Sequence, residues 1–214
     1  KLAITEYNYG GGSHISGGIA QADVLGIFGR EGVFAANEWA LASNETFIQA
    51  GFRMFRNFDG ANGTFGDMSI KATTDDIVGS SVYASLNSAN PNEMIVVALN
   101  KTSSPLPVVM QLGSVLPGAT TSVYQLTSAS AAPQPAGTIT IADPTNFAYT
   151  LPAYSVTTMR IVGLTSITQP PTVITPATAA QSPVTGTSTG LSVLGGDDAG
   201  EAGLTYTWSA VGTP

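Results

Sequence analysis

The first 39 residues constrain the fold of this chain more than any other stretch. A short apolar run over residues 2–5 ends on Glu6 and is followed by a glycine turn and a helical pattern over residues 15–28. A second apolar run, residues 32–36, ends close to Trp39. Strand, loop, helix and strand in this order predict a βαβ unit with parallel strands.

A different pattern begins at residue 67, where short alternating runs are separated by turn signals. The chain has 24 glycines, 13 prolines and only 10% charged residues, a composition typical of turn-rich β structure. We therefore predict a compact β-sandwich that ends near residue 163, in which Ile95-Val96-Val97 forms a strand covered on both faces. The predicted strands cover residues 69–73, 81–86, 94–100, 108–112, 121–125, 138–141 and 155–162.

The bulk properties exclude several classes of function. A net charge of −7 argues against nucleic acid or an anionic membrane as a partner. Cysteine is absent, so that disulfides, a thiol nucleophile and thiolate metal sites are excluded. His14 is the only histidine, which rules out a histidine-rich zinc site within the chain. No cofactor is predicted.

The residues at the two strand ends are of the types that carbohydrate chemistry uses. A carboxylate at the end of a barrel strand can attack an anomeric carbon if a second carboxyl group lies about 5–5.5 Å away. Aromatic rings offer flat faces to sugars. Glu6, Tyr7, Tyr9 and Trp39 fit this chemistry. On pattern alone, a structural carboxylate at position 6 and a core tryptophan at position 39 stay equally open.

A family resemblance adds to this interpretation. Thr5-Glu6-Tyr7-Asn8, the glycine turn and residues 14–33 closely resemble glycoside hydrolase family 44, and the similarity continues to Leu151-Pro152-Ala153-Tyr154-Ser155-Val156-Thr157-Thr158. The resemblance covers roughly residues 1–162. It implies a retaining endo-β-1,4-glucanase or xyloglucanase that acts on a β-glucan polysaccharide.

The resemblance also implies roles for individual residues. Glu6 would be the catalytic nucleophile at the end of barrel strand seven, and Tyr7, Asn8, Tyr9 and Trp39 would bind substrate. The general acid/base glutamate, expected at the end of strand four, has no counterpart in this sequence. We therefore expect the chain to be a C-terminal piece of a longer enzyme, and we expect this piece alone to be inactive. The longer enzyme is expected to be a secreted, bacterial-type, multimodular protein and a monomer.

The predicted fold class is α/β plus all-β in four parts. Residues 1–63 form the last two βα units of a (β/α)8 TIM barrel, and residues 64–163 form a Greek-key β-sandwich. Residues 164–182 are a Pro/Thr-rich extended linker. Residues 183–214 begin a truncated immunoglobulin-like module, with strands at 191–194 and 204–208.

Two other functions and several minor sites are also compatible with the sequence. The rival class is a non-enzymatic carbohydrate-binding or adhesive protein, and a third option is another retaining barrel hydrolase acting on arabinosides or xylosides. Glu38 lines the cleft or lies in a salt bridge or on a solvated rim. Two acidic groups are calcium candidates or plain turns. They are Asp75-Asp76 and Asp197-Asp198 with Glu201.

Overall fold

The computed structural model describes residues 1–39, 41–164, 172–196 and 204–209. These residues are mostly β-sheet, with two helices, α1 (Ile15–Arg30) and α2 (Thr46–Arg56). The strands are β1 (Ala3–Tyr7), β2 (Ala35–Glu38), β3 (Met68–Ile70), β4 (Ser80–Asn87), β5 (Asn90–Asn100), β6 (Leu106–Met110), β7 (Val115–Thr127), β8 (Ser130–Ile141), β9 (Phe147–Leu151), β10 (Ser155–Leu164), β11 (Thr172–Ala179) and β12 (Leu191–Gly196).

The predicted βαβ unit is confirmed. β1 and β2 pair in parallel, and α1 connects them. His14 caps α1, because its Nδ1 accepts the Ser16 amide at 3.2 Å, which matches a turn role for this residue. The helix runs past Gly29, although glycine is common just after a helix end. The left-handed residue is instead Gly32, with φ of 66°, where the chain turns toward β2.

The second helix, α2, begins after Ser43 and Asn44, although both residue types favour an N-cap. Its N-cap residue is Glu45. The Ala42 amide donates to Glu45 Oε2 at 2.8 Å, and the Glu45 amide donates to the Ala42 carbonyl at 3.1 Å. These reciprocal bonds close a turn over residues 42–45, so that the helix cannot start before Thr46.

One six-stranded antiparallel sheet organises the rest of the main unit. Its strand order is β3-β4-β5-β10-β7-β8, with β5 and β10 at the centre. Ile95, Val96 and Val97 are all buried, which confirms that this strand is covered on both faces. β6 and β9 pair in a separate two-stranded sheet, and β9 contacts β5.

The two helices bury their apolar faces on the six-stranded sheet. Ile19 of α1 and Phe55 of α2 share one core with Tyr83, Ile95 and residues of β7 and β10. Both helices thus have a covered face within this chain. Among the described residues, the region predicted as a sandwich contains one sheet of six strands, with helices on one of its faces, and one sheet of two strands.

Two details of the strand prediction were wrong. β9 was not predicted, although its strand follows directly from the turn at residues 143–146. The expected turns at residues 117–118 and 133–137 lie inside the long hairpin of β7 and β8. β8 is an edge strand, where proline is tolerated because one side of the backbone needs no partner.

The chain divides into two compact units, Lys1–Thr165 and Ser166–Pro214. In the second unit β11 pairs antiparallel with β12, so that part of the segment predicted as an unpaired linker is strand. Residues 204–208 were predicted as strand, but they form none; Tyr206 Oη instead accepts the Gly195 amide at 2.9 Å. No helix in the described residues is long and apolar enough to cross a bilayer.

Candidate active site

A bulge near the end of β1 determines which side chains face outward. Ile4 is paired with Ala36. The next pair joins Tyr7 to Glu38, so that two residues of β1, the second of which is Glu6, oppose one residue of β2. Bulges of this kind are common beside active sites, where they redirect a side chain.

The bulge leaves Glu6 on the open face of the two-stranded sheet. Tyr7 faces α1, because its ring lies 5.4 Å from the Phe28 ring in an edge-on contact. Successive strand residues point to opposite faces, so that Glu6 points away from α1. Its side chain is exposed and has no hydrogen bond or ion pair to any described residue.

Behind the strand end, Gln21 of α1 joins two tyrosines. Gln21 is fully buried, and its Nε2 donates to Tyr7 Oη at 3.0 Å. Its Oε1 accepts the hydroxyl of Tyr9. Burial raises the pKa of Tyr7 and also that of Tyr9, so that both phenols keep their protons at neutral pH.

Asn8 connects the ends of the two strands. Its Nδ2 donates to Glu38 Oε1 at 3.2 Å and also to the Trp39 carbonyl. Its Oδ1 accepts the Gly10 amide at 2.7 Å. In return, the Trp39 amide donates to the Tyr7 carbonyl at 2.8 Å. The loop after β1 is thus tied to the end of β2.

Trp39 is not a core residue in this chain. Its side chain is 61% exposed, although its backbone is held on both sides. An exposed indole on a fixed backbone is available to an incoming ring. The alternative that Trp39 is a buried core residue is therefore wrong for the described part of the chain.

Glu38 lies on the helix side of the sheet, opposite in direction to Glu6. It is the register partner of Tyr7, and its Oε2 is buried without a hydrogen bond from any described residue. Burial raises the pKa of its carboxyl, and the charge of Glu45 raises it further. No described cation pairs with Glu38, so that the salt-bridge alternative finds no support.

The structure thus brings Tyr7, Asn8, Tyr9 and Trp39 into one hydrogen-bonded network, with Glu6 beside them on the other face. Sequence reasoning missed Gln21. The signal that could have found it is an amide side chain between Ala20 and Ala22, in a helical stretch of mainly small and apolar residues.

Known proteins share this architecture. Endoglucanase A of Paenibacillus lautus is 40% identical over 156 residues, which are 72% of this chain and 22% of that enzyme. A family 44 xyloglucanase of Paenibacillus polymyxa, solved with xyloglucan, is 37% identical with a TM-score of 0.72, over 76% of this chain and 32% of that one. The resemblance to glycoside hydrolase family 44 is confirmed.

A third relative agrees with this assignment. The family 44 endoglucanase of Clostridium thermocellum is 40% identical with a TM-score of 0.71, over 75% of this chain and 32% of that one. No family model matches the chain. The three relatives are thus a curated endoglucanase and two solved enzymes of family 44, a xyloglucanase and an endoglucanase. The chain spans about a fifth of the curated relative and about a third of the solved enzymes.

Only one of the two acidic groups that were candidates for binding calcium lies in the described part of the chain. Asp76 Oδ1 accepts the backbone amides of Val78 and Gly79, at 3.1 and 2.9 Å, as expected of a plain acidic turn. The group of Asp197, Asp198 and Glu201 lies outside the described residues. Within the described part of the chain, no cluster of three or more acidic, histidine or cysteine residues could hold a metal ion.

Proposed function

We propose that this chain is part of a secreted retaining glycoside hydrolase that cleaves internal β-1,4 linkages of cellulose or xyloglucan. Glu6 is the nucleophile, and the acid/base glutamate lies outside this chain. The observation that carries the proposal is the bulge that turns Glu6 onto an open face at the carboxyl end of a parallel strand. A polymeric substrate cannot enter a cell, which is the reason to expect secretion.

The parallel strands support a barrel origin for residues 1–63. Parallel pairs joined by a crossover helix occur in sheets covered on both faces, of which the (β/α)8 barrel is one. In that fold β1 and β2 would be strands seven and eight, and their carboxyl ends would belong to the catalytic face. Residues 64–163 would be the accessory sandwich, and an immunoglobulin-like module would follow it.

The chemistry follows from a pair of carboxyl groups. A carboxylate oxygen of Glu6 forms a bond to the anomeric carbon while the glycosidic oxygen leaves with a proton from the second carboxyl group. Water then attacks the same carbon, gives its proton back to that group and releases Glu6. Glu38 does not fit the second role, because it faces α1 whereas Glu6 faces away.

The neighbouring aromatic and amide groups suit a polysaccharide. The exposed indole of Trp39 offers an apolar face to a sugar ring. Tyr9 is 40% exposed, and Asn8 is also exposed. The proposal is that these residues, together with Tyr7, hold the glucan beside Glu6.

The nucleophile is tested in the complete enzyme that contains this chain. A 2-deoxy-2-fluoro-cellobioside with a good leaving group should form a stable adduct on Glu6, which peptide mass spectrometry locates. The Glu6→Gln variant should lose both adduct and turnover, with a loss of at least roughly 10⁴-fold, because no covalent intermediate can form.

The matched control is Glu31→Gln. Glu31 is an exposed carboxylate at the far end of α1 that pairs with Arg30. Its replacement should leave labelling and turnover intact. An adduct on another residue, or full activity of Glu6→Gln, would contradict the proposal.

A further inference from the structure

Gln21 is a fully buried amide in a helix whose other buried residues are glycine and apolar residues. Burying an amide without hydrogen-bond partners costs free energy, so that buried amides are generally hydrogen-bonded. Both ends of this amide are used. Nε2 donates to Tyr7 Oη at 3.0 Å, and Oε1 accepts the Tyr9 hydroxyl.

The second helix closes over Gln21. A Cβ atom built on Gly51 of α2 would lie 2.8 Å from the Gln21 Cβ and 2.7 Å from the Gly18 carbonyl oxygen. α2 therefore packs tightly against this part of α1 only because Gly51 has no side chain. The close approach restricts the rotamers of Gln21 and fixes the amide as a rigid support.

The two tyrosines connect Gln21 to the end of β1. Tyr7 follows Glu6 directly, and the Tyr7 carbonyl accepts the Trp39 amide at 2.8 Å. Tyr7 and Tyr9 flank Asn8, which donates to the Trp39 carbonyl. The path of residues 6–9 and its attachment to the end of β2 thus depend on where the two phenol rings are held.

We propose that Gln21 is a positioning residue of the active site, which sets the direction of the Glu6 carboxylate and the place of Trp39 through the hydroxyls of Tyr7 and Tyr9. This inference rests on the proposed function of Glu6. Gln21 lies on the face of the strands opposite to Glu6, so that it touches no substrate and acts only through the tyrosines.

The first test is Gln21→Met in the complete enzyme. Methionine has a similar length and volume but no amide, so that it fills the space and removes the hydrogen bonds. We expect the rate of covalent labelling of Glu6 and kcat to fall roughly 10- to 100-fold, because small displacements of reacting groups are costly. KM should change far less than kcat.

The control is the same substitution on the neighbouring helix. Gln49 of α2 donates only to the Ala42 carbonyl, at 2.9 Å. Gln49→Met should leave the labelling rate and kcat within about twofold of the wild type. Thermal unfolding of both variants shows whether each is folded at the assay temperature.

A second variant, Gln21→Glu, tests the positioning role if Gln21→Met does not fold. In Gln21→Glu, the introduced carboxyl in its protonated form presents one acceptor and one donor, as the amide does. Its ionised form has no hydrogen to donate to Tyr7 Oη, and it carries its charge at a fully buried position. The ratio of its kcat to that of the wild type should therefore rise as the pH falls.

The outcomes separate the two proposals. Labelling and kcat at wild-type levels in a folded Gln21→Met variant would show that Gln21 is only structural. The same conclusion would follow from a kcat ratio for Gln21→Glu that stays constant over a pH range in which the unfolding free energy shows that the introduced carboxyl ionises. Wild-type enzyme that is labelled elsewhere than Glu6 would contradict the proposed function, and the positioning role with it.

Discussion

Trp39 combines a fixed backbone with a free side chain. Its amide donates to the Tyr7 carbonyl and its carbonyl accepts from Asn8, whereas its indole is 61% exposed. Large aromatic residues usually gain stability from burial. An indole that is held in position but not buried contributes little to folding and is free to contribute to binding.

Replacement of Trp39 by alanine should therefore weaken binding without weakening the fold. In the complete enzyme carrying Glu6→Gln, which prevents turnover, we expect the Kd for a cello-oligosaccharide to rise about tenfold, since a ring contact contributes about 1 kcal/mol or more. The free energy of unfolding should change by less than about 0.5 kcal/mol. Calorimetric titration and urea denaturation measure the two quantities.

The second tryptophan gives the control for this substitution. Trp208 is 50% exposed and lies in the second compact unit. Trp208→Ala should leave the affinity for the oligosaccharide unchanged. Equal affinities of Trp39→Ala and the parent would show that the indole does not contact the sugar.

The residues at the strand ends were partly predictable from the sequence. The position of Glu6 and Trp39 after two apolar runs was visible, because runs and turns are local signals. The bulge was not, since an extra residue in one strand is defined only by the register of its partner. Gln21 was missed for a related reason: its two partners are 12 and 14 residues away in the chain.

α1 packs closely against Tyr83 of the large sheet at Gly26, which has no side chain. A Cβ atom on Gly26 would lie 2.3–2.4 Å from three ring atoms of Tyr83. The ring cannot easily withdraw, because Tyr83 Oη donates to Asp23 at 2.6 Å and its ring contacts Phe55. Asp23 is in turn 3.5 Å from Lys101 Nζ.

Gly26→Ala should therefore destabilise the chain, although alanine favours helix by about 1 kcal/mol. We expect a loss of about 1–3 kcal/mol from overpacking, measured as a lower urea midpoint. Gly29→Ala is the matched control in the same helix, where no atom lies within 4 Å of the added Cβ. It should stabilise by up to about 1 kcal/mol. A stabilised Gly26→Ala variant would contradict the described packing.

The surface against which the two helices pack could not be predicted from the sequence. Their periodicity predicted that each has a buried face, but a hydrophobic pattern does not identify the surface that covers it. The sequence pattern of the helices fits a cover from barrel strands and a cover from the sandwich equally well. Phe55 and Phe58 of the α2 region instead pack with Phe65, Tyr83 and Tyr124 of the sandwich region, through aromatic contacts of 5.1–6.5 Å.

One core therefore extends across the predicted boundary at residues 63 and 64. The described residues of Lys1–Thr165 form a single unit in which α1 and α2 lie on the large sheet. β1 and β2 are attached to this unit through α1 and its network at Gln21. Glu6 is exposed and is not part of the described core, so that the core does not depend on it.

The chain alone should fold but should not hydrolyse glucan. Glu6 has no second carboxyl group on its face among the described residues, because Glu38 points toward α1. We expect a cooperative urea transition, but no release of reducing sugar from xyloglucan or carboxymethylcellulose. The Glu6→Gln form of the same chain is the control for contaminating glycosidases. Hydrolysis that the chain shows and its Glu6→Gln form lacks would mean that the acid partner lies within these 214 residues.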